Sequence, residues 1–312
     1  MIPRPEKLSL VLLLLPLLAG CSQDRPERVS PRPPLPAPAV KGAPTAAVAP
    51  APAGDRGEAG QATLSDMLMR AAFEADFHAA TGVALRPIPD PVNRKRMGLH
   101  AVSAVAATLL PGGDAVLVVN AEDAGEDGAP RSSHASPGLL GVIVLQRQDG
   151  RWVVRRRHES LAALGSSGRI GEVVWTRFGP DRPGFAVIHS WTGQGHSIGL
   201  LSLFELGADG VRELTGEPIR LHSDNSGNCL DDTPQCWDIA GTWRIVAGED
   251  PASPGDLLLQ FSGEESSLQI VEGESSPPKG PRVSRPVSSS ARYVFDGTRY
   301  RLADGRNVVP DL

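Results

Sequence analysis

The stretch VSAVAATLLPGGDAVLVVNA, Val102–Ala121, decides how this chain is read. It holds two apolar runs, Val102–Leu110 and Ala115–Ala121, joined by Pro111-Gly112-Gly113-Asp114. Proline stops the first run, and glycine tolerates the positive φ that a tight reversal needs. The pattern predicts a β-hairpin. Further along, Leu139–Gln146 and Trp152–Arg156 flank Asp149-Gly150, a dipeptide favoured in two-residue hairpin loops. Similar turns recur at Asp209-Gly210, Asp296-Gly297 and Asp304-Gly305. Strands are expected at Val173–Phe178, Phe185–Ser190, Ile198–Leu206, Thr242–Val246, Leu257–Phe261, Ser267–Val271, Arg292–Phe295 and Thr298–Leu302.

Short strands with frequent turn signals predict a mainly β fold: an antiparallel sandwich, barrel or partial propeller. No repeat of fixed length is present, so a regular propeller is not implied. One amphipathic helix is expected N-terminal to the strands. Thr63 and Asp66 stand at capping-box spacing, and helix formers run from Met67 to Ala80. Leu64, Leu68, Ala71, Ala72 and Ala75 mark one face, Phe73 and Phe77 form an i, i+4 pair, and Gly82 suits a C-cap. Two segments read as mobile loops, 122–137 and 273–290, the second biased to Ser, Pro and Gly.

The 312 residues suffice for one sizeable domain, and 40% are hydrophobic, enough for a core although only 4% are aromatic. The net charge of -5 argues against a nucleic-acid partner, which requires a basic footprint.

At the N-terminus, Arg4 and Lys7 precede the apolar run Leu8–Leu18. As a helix this run spans about 16 Å, too short for a hydrocarbon core of about 30 Å. It reads as a secretory leader. Leu18-Ala19-Gly20-Cys21 follows and resembles the bacterial lipobox. The resemblance implies a signal peptide over 1–20, cleavage before Cys21, and diacylglycerol on the Cys21 thiol. The new amino terminus would also be acylated, giving two or three acyl chains, enough for stable membrane anchoring. Ser22, where aspartate would favour inner-membrane retention, implies the outer membrane facing the periplasm. Residues 21–61 read as the lipidated cysteine and a Pro/Ala-rich disordered stalk, with Pro31, Pro33, Pro34, Pro36 and Pro38 clustered. Residues 62–312 read as the β-rich domain.

Five features could carry chemistry. Gly195-His196-Ser197-Ile198-Gly199 matches G-x-S-x-G, which in α/β-hydrolases places the nucleophilic serine on a strand-to-helix elbow. The segment before it is not the apolar strand an elbow requires, and a Gly-rich turn between strands is the alternative. Asp224–Asp232 is dense in oxygen donors, and Asp224, Asn228, Asp231 and Asp232 are candidate calcium ligands, against an Asx-turn loop. Cys229 and Cys236 lack the C-x2-4-C spacing of zinc sites, so a structural disulfide is expected in an oxidising compartment. Arg155-Arg156-Arg157-His158 is either a solvated strand edge or an anionic-lipid contact. Trp152, Trp175, Trp191, Trp237 and Trp243 form either a sugar-stacking platform or core.

Taken together, the sequence predicts a membrane-anchored envelope lipoprotein. Its β-domain is a non-catalytic binding or structural module, without cofactor, for an envelope protein or glycan. A serine hydrolase using Ser197 and a calcium-stabilised module are the alternatives.

Overall fold

A computed structural model describes residues 58–311, apart from 91, 92, 94, 249, 251 and 270–280. Cys21, the leader and most of the expected stalk lie outside the described residues. The helix α1 spans Glu58–Phe73 and starts earlier than the Thr63 signal predicts, so Thr63 falls inside it. Glu58, Ala59, Gln61 and Ala62 are good helix formers, which lets the helix begin upstream of Thr63. The helix ends before Ala80. A 3-10 turn over Glu74–Asp76 follows, and Gly82 (φ +68°) closes a turn onto the His78 carbonyl instead of capping α1.

The remainder is mainly β, in two open antiparallel sheets, neither closed into a barrel. The first is a meander in strand order: β1 (Phe77–His78), β2 (Val83–Pro89), β3 (Met97–Leu109), β4 (Ala115–Asp123), β5 (Gly138–Gln148) and β6 (Arg151–Leu164). The second contains β7 (Glu172–Gly179), β8 (Arg182–Gly193), β9 (His196–Gly207), β10 (Gly210–Glu213), β11 (Ile219–Asp224), β12 (Gln235–Val246), β13 (Asp256–Leu268), β14 (Arg282–Phe295) and β15 (Tyr300–Gly305). Its order is β15-β14-β13-β12-β11-β9-β8-β7, with β10 paired to the end of β9.

The Val102–Ala121 stretch folds as the β3–β4 hairpin, and Asp149 (φ +51°) and Gly150 (φ +79°) turn β5 into β6. Asp304-Gly305 is different: it ends β15 against Ala291 and Arg292 and makes no hairpin. Loop expectations also shift. Glu122 and Asp123 belong to β4, and residues 282–290 are strand, the first part of β14. Serine and proline at that density hid a strand that pairs regularly with β13 from Arg282 to Tyr293.

Alternation explains the packing. Along β4, Leu117, Val119 and Ala121 face α1, where Leu68, Met69, Ala72 and Phe73 cover them. Val116 and Val118 point the other way, into a core shared with Phe185, Val187 and Phe204 of the second sheet. On the far side of β8 and β9, Ala186, Leu201 and Leu203 join a third core with Ile239, Leu257, Leu259 and Phe261. Asn120 ties the crossover between the sheets: its Nδ2 donates to the Gly168 carbonyl at 2.8 Å, and its Oδ1 accepts from the Ile170 amide at 3.0 Å. No helix of the described residues is long and apolar enough to cross a membrane.

Candidate functional site

The G-x-S-x-G stretch folds as strand–turn–strand. Gln194 (φ +52°) and Gly195 (φ +76°) make the tight turn between β8 and β9, and Ser197 is the second residue of β9. Ser197 Oγ accepts a hydrogen bond from Thr192 Oγ1 at 3.1 Å, its cross-strand neighbour. An elbow requires a helix after the serine; here an antiparallel strand follows. The hydrolase expectation therefore loses its scaffold.

The Asp224–Asp232 segment is a network of Asx-type bonds. Asp224 Oδ1 accepts from the Ser226 amide at 3.1 Å and from its hydroxyl at 2.6 Å. Asn225 is buried; it donates to the Gln235 carbonyl at 2.9 Å and accepts from the Trp237 amide at 2.8 Å. Asn228 donates to the Gln194 carbonyl at the hairpin tip. Among the described residues no group of three or more His, Cys, Asp or Glu side chains is placed to hold a metal ion. Asp224, Asp231 and Asp232 do not form such a group. The disulfide between Cys229 and Cys236 is formed, with Cα atoms 5.6 Å apart. It pins this loop to the start of β12.

The structure joins these two motifs, which lie about thirty residues apart. Gly195 and Gly227 meet backbone to backbone: a Cβ on Gly227 would lie 2.7 Å from the Gly195 Cα. Only glycine permits that approach. The hairpin tip and the disulfide loop form one surface at this end of the second sheet.

Register then defines a row on one side of that surface. Trp191 pairs with Ile198, and Gly193 with His196; Ile198 pairs with Ser223, and Ser223 with Ile239. Direct cross-strand partners share a side, as do residues two apart. Trp191, His196 and Trp237 therefore lie on one side across β8, β9 and β12. The His196 and Trp237 rings are 5.8 Å apart, and Trp237 Nε1 donates to Ser223 Oγ at 3.0 Å. His134, exposed in the β4–β5 connection, lies 6.4 Å from Trp191 between ring centroids. His196 Nδ1 is buried and has no hydrogen-bond partner.

Trp237 also packs, half-buried, against the third core, and the other three tryptophans belong to the cores. Trp152 packs against the α1 core under the Arg147 guanidinium, Trp175 meets Phe185 edge-on, and Trp243 is buried in the third core. The basic run is engaged as well. Arg155 pairs with Asp114 at 2.7 Å, Arg156 donates to the Ala208 carbonyl, and Arg157 donates to the Ala72 carbonyl beneath α1. It is not a free basic patch.

Three further polar groups were not legible from sequence. His222 Nε2 stands 3.8 Å from Asp224 and 3.5 Å from Asp238. Glu205, nearly buried, is held at 2.5 Å by both Arg182 and Arg212, beside a cleft open to solvent. His189 is buried; its Nδ1 accepts from the Gly165 amide at 3.3 Å, and Nε2 meets Ser202 Oγ at 3.2 Å. Burial pulls the His189 pKa down to about 4, so near neutrality the ring is uncharged and Nε2–H donates to Ser202.

No family model, no curated protein and no solved structure matches this chain. The functional reading rests on the residues themselves.

Proposed function

We propose that the chain is a bacterial envelope lipoprotein, anchored by lipid on Cys21, whose β-domain is a non-catalytic binding module. The observation that carries the non-catalytic part is the β8–β9 hairpin. The one nucleophile motif in the chain is built into a regular ladder, with its hydroxyl bonded to Thr192. Around it the chain spends a disulfide, buried Asn225 and two facing glycines on holding a surface still, which is what a binding site requires. The anchor reading rests on the lipobox and leader. The Pro-rich sequence before Glu58 would reach on the order of 100 Å at the roughly 3.1 Å per residue of an extended chain, enough to hold a domain off the bilayer. The membrane is the outer one, with the domain facing the periplasm.

Labelling with a radioactive fatty acid tests the anchor. The intact chain incorporates label and fractionates with membranes, and Cys21→Ser abolishes both. Membrane fractionation unchanged in Cys21→Ser, with no loss of label, would overturn it.

A further inference from the structure

We infer that the cleft beside Glu205 binds a short free peptide, with its C-terminal carboxylate on Arg182 and Arg212 and its ammonium group at Asp181 or Asp209. The cleft encloses about 650 Å³, within the range of about 300–1,000 Å³ usual for small-ligand pockets. It lies at the end of β8 and β9 opposite the hairpin tip and the disulfide loop, so it is independent of that surface and of the anchor.

Register builds the floor. Glu205 on β9 pairs with Gly184 on β8 and with Arg212 on β10, and Arg182 stands two residues before Gly184. All three side chains therefore share a side, the one on which Leu201 and Leu203 enter the third core. Glu205 closes the end of that core, and each of its carboxylate oxygens accepts from one guanidinium at 2.5 Å. One anion thus holds two cations side by side, and the trio carries a surplus of positive charge. Arg182 also donates to the Ala252 carbonyl, and the Arg212 guanidinium lies 4.9 Å from the Phe295 ring centroid, so both groups are held in place. Glu205 and Ala252 take only part of their donor set. The remaining N–H groups, on two part-exposed side chains, suit a planar carboxylate.

The mouth is charged the other way. Asp181 in the β7–β8 turn and Asp209 in the β9–β10 turn line the same cleft and are exposed, and their carboxylates have no partner among the described residues. From floor to mouth the order is cation, then anion. A simple anion meets repulsion at the mouth, and a simple cation meets it at the floor. A molecule with a carboxylate at one end and an ammonium at the other satisfies both, and capture of a terminal carboxylate is a recurring way of recognising peptides. Leu206, Ala208 and Val211 supply apolar wall for the residues between. A zwitterionic lipid headgroup fits less well. Among the described residues none of the exposed large hydrophobic side chains lines the cleft, so nothing at its mouth enters a bilayer.

The test uses the full chain in detergent and calorimetric titration with a library of Ala-Xaa-Ala tripeptides, each free, amidated at the C-terminus or acetylated at the N-terminus. At least one free tripeptide is expected to bind, and either blocked form of it binds about tenfold more weakly. In Arg212→Gln the preference for the free over the amidated form falls, because a partner of the carboxylate is gone. In the double variant Asp181→Asn, Asp209→Asn, changed only at exposed turn positions, the melting curve is unchanged and the preference for the free over the acetylated form falls. An ion trio that serves only to hold the fold weakens every form equally in Arg212→Gln and leaves the double variant as selective as the parent, and that result overturns the inference. It is overturned too if no free tripeptide binds up to millimolar concentration, if phosphoethanolamine binds in place of every tripeptide, or if the blocked forms bind the parent as well as the free ones do.

Discussion

The two sheets solve one problem differently. Each buries one face in the shared core around Phe185 and Phe204, which leaves an apolar face still to cover. The six-stranded sheet is covered by a separate element, α1, with Leu68, Met69, Ala72 and Phe73 on its β3–β5 face. The second sheet covers itself. Its accumulated twist brings the edge strand β7 round until Phe178 accepts a hydrogen bond from the Gly255 amide at 2.6 Å. Tyr300 completes the seam, donating its hydroxyl to the Gly255 carbonyl at 2.6 Å. Burial drives that phenol's pKa up, so it stays a donor throughout the accessible pH range. A sheet with enough strands can supply its own lid, whereas a shorter one needs a helix.

The sharpest way to break the comparison is through the core that both sheets share. Phe204 is fully buried and stacks on Phe185 with centroids 5.1 Å apart. Phe204→Ala is expected to cost about 3–5 kcal/mol. If the shared core makes the sheets one cooperative unit, urea unfolding followed by circular dichroism and by tryptophan fluorescence gives one coincident transition at a lower midpoint. Two separate transitions would mean that helix-covered and self-covered sheets stand independently.

The disulfide sharpens the other side. Replacing Cys229 and Cys236 together by serine is expected to cost about 2–3 kcal/mol. Hydrogen exchange should locate the local loosening at Asn225–Trp237 and the β8–β9 tip, with β3–β5 losing protection only by global unfolding. Equal local loosening in β3–β5 would contradict the assignment of that loop to the second sheet's end.

His189 probes the layer between the sheets through pH. Its folded pKa, about 4, lies below the unfolded value of 6.5, so the unfolded chain binds the proton more readily. Its contribution is fully present above about pH 6.5, is lost as pH falls from there towards 4, and levels off below. Between pH 8 and pH 5 the loss amounts to about 2 kcal/mol. Denaturant titrations at the two pH values check this. His189→Gln should shrink the difference by about that amount, and an undiminished difference would assign the effect to other groups.

What could be read from the sequence was what is local. The hairpins at Pro111–Asp114 and Asp149-Gly150 announce themselves because turn chemistry is short-range. The strand β2 and the first part of β14, before Arg292, did not, because Pro87, Pro89 and Pro286 argue against a strand. The structure places them where the ladder is one-sided: β1 pairs only with Val83 and Ala84 of β2, and β15 reaches only Ala291–Phe295 of β14. Proline's missing donor costs nothing at such an edge. The site shows the same divide. The G-x-S-x-G stretch, the acidic loop and the cysteine pair each stood out, but their meeting depends on Gly195 facing Gly227. No local pattern encodes that contact. His134 carries no signal at all, since it reaches Trp191 only through the packing of one sheet's loop beside the other sheet.

The smallest expected effect tests whether the helical lid is a separate element in energy as well as in shape. Arg157 reaches from β6 under α1, donates to the Ala72 carbonyl in the last turn, and lies 4.8 Å from the Phe73 ring centroid. It satisfies a carbonyl that the helix end leaves open and places positive charge at the negative end of the dipole. Burial lowers its pKa, yet a guanidinium stays charged, and Glu159 at 3.7 Å offsets part of the desolvation. Arg157→Met keeps most of the apolar stem and removes the hydrogen bond to Ala72, so about 1 kcal/mol of stability should go. That loss belongs to the lid. Hydrogen exchange should quicken along Leu68–Phe73, while amides of β12 and β13 keep their rates. A uniform change across both sheets would show that helix cover and self-cover are coupled, and that α1 is part of one cooperative fold and not a lid set upon it.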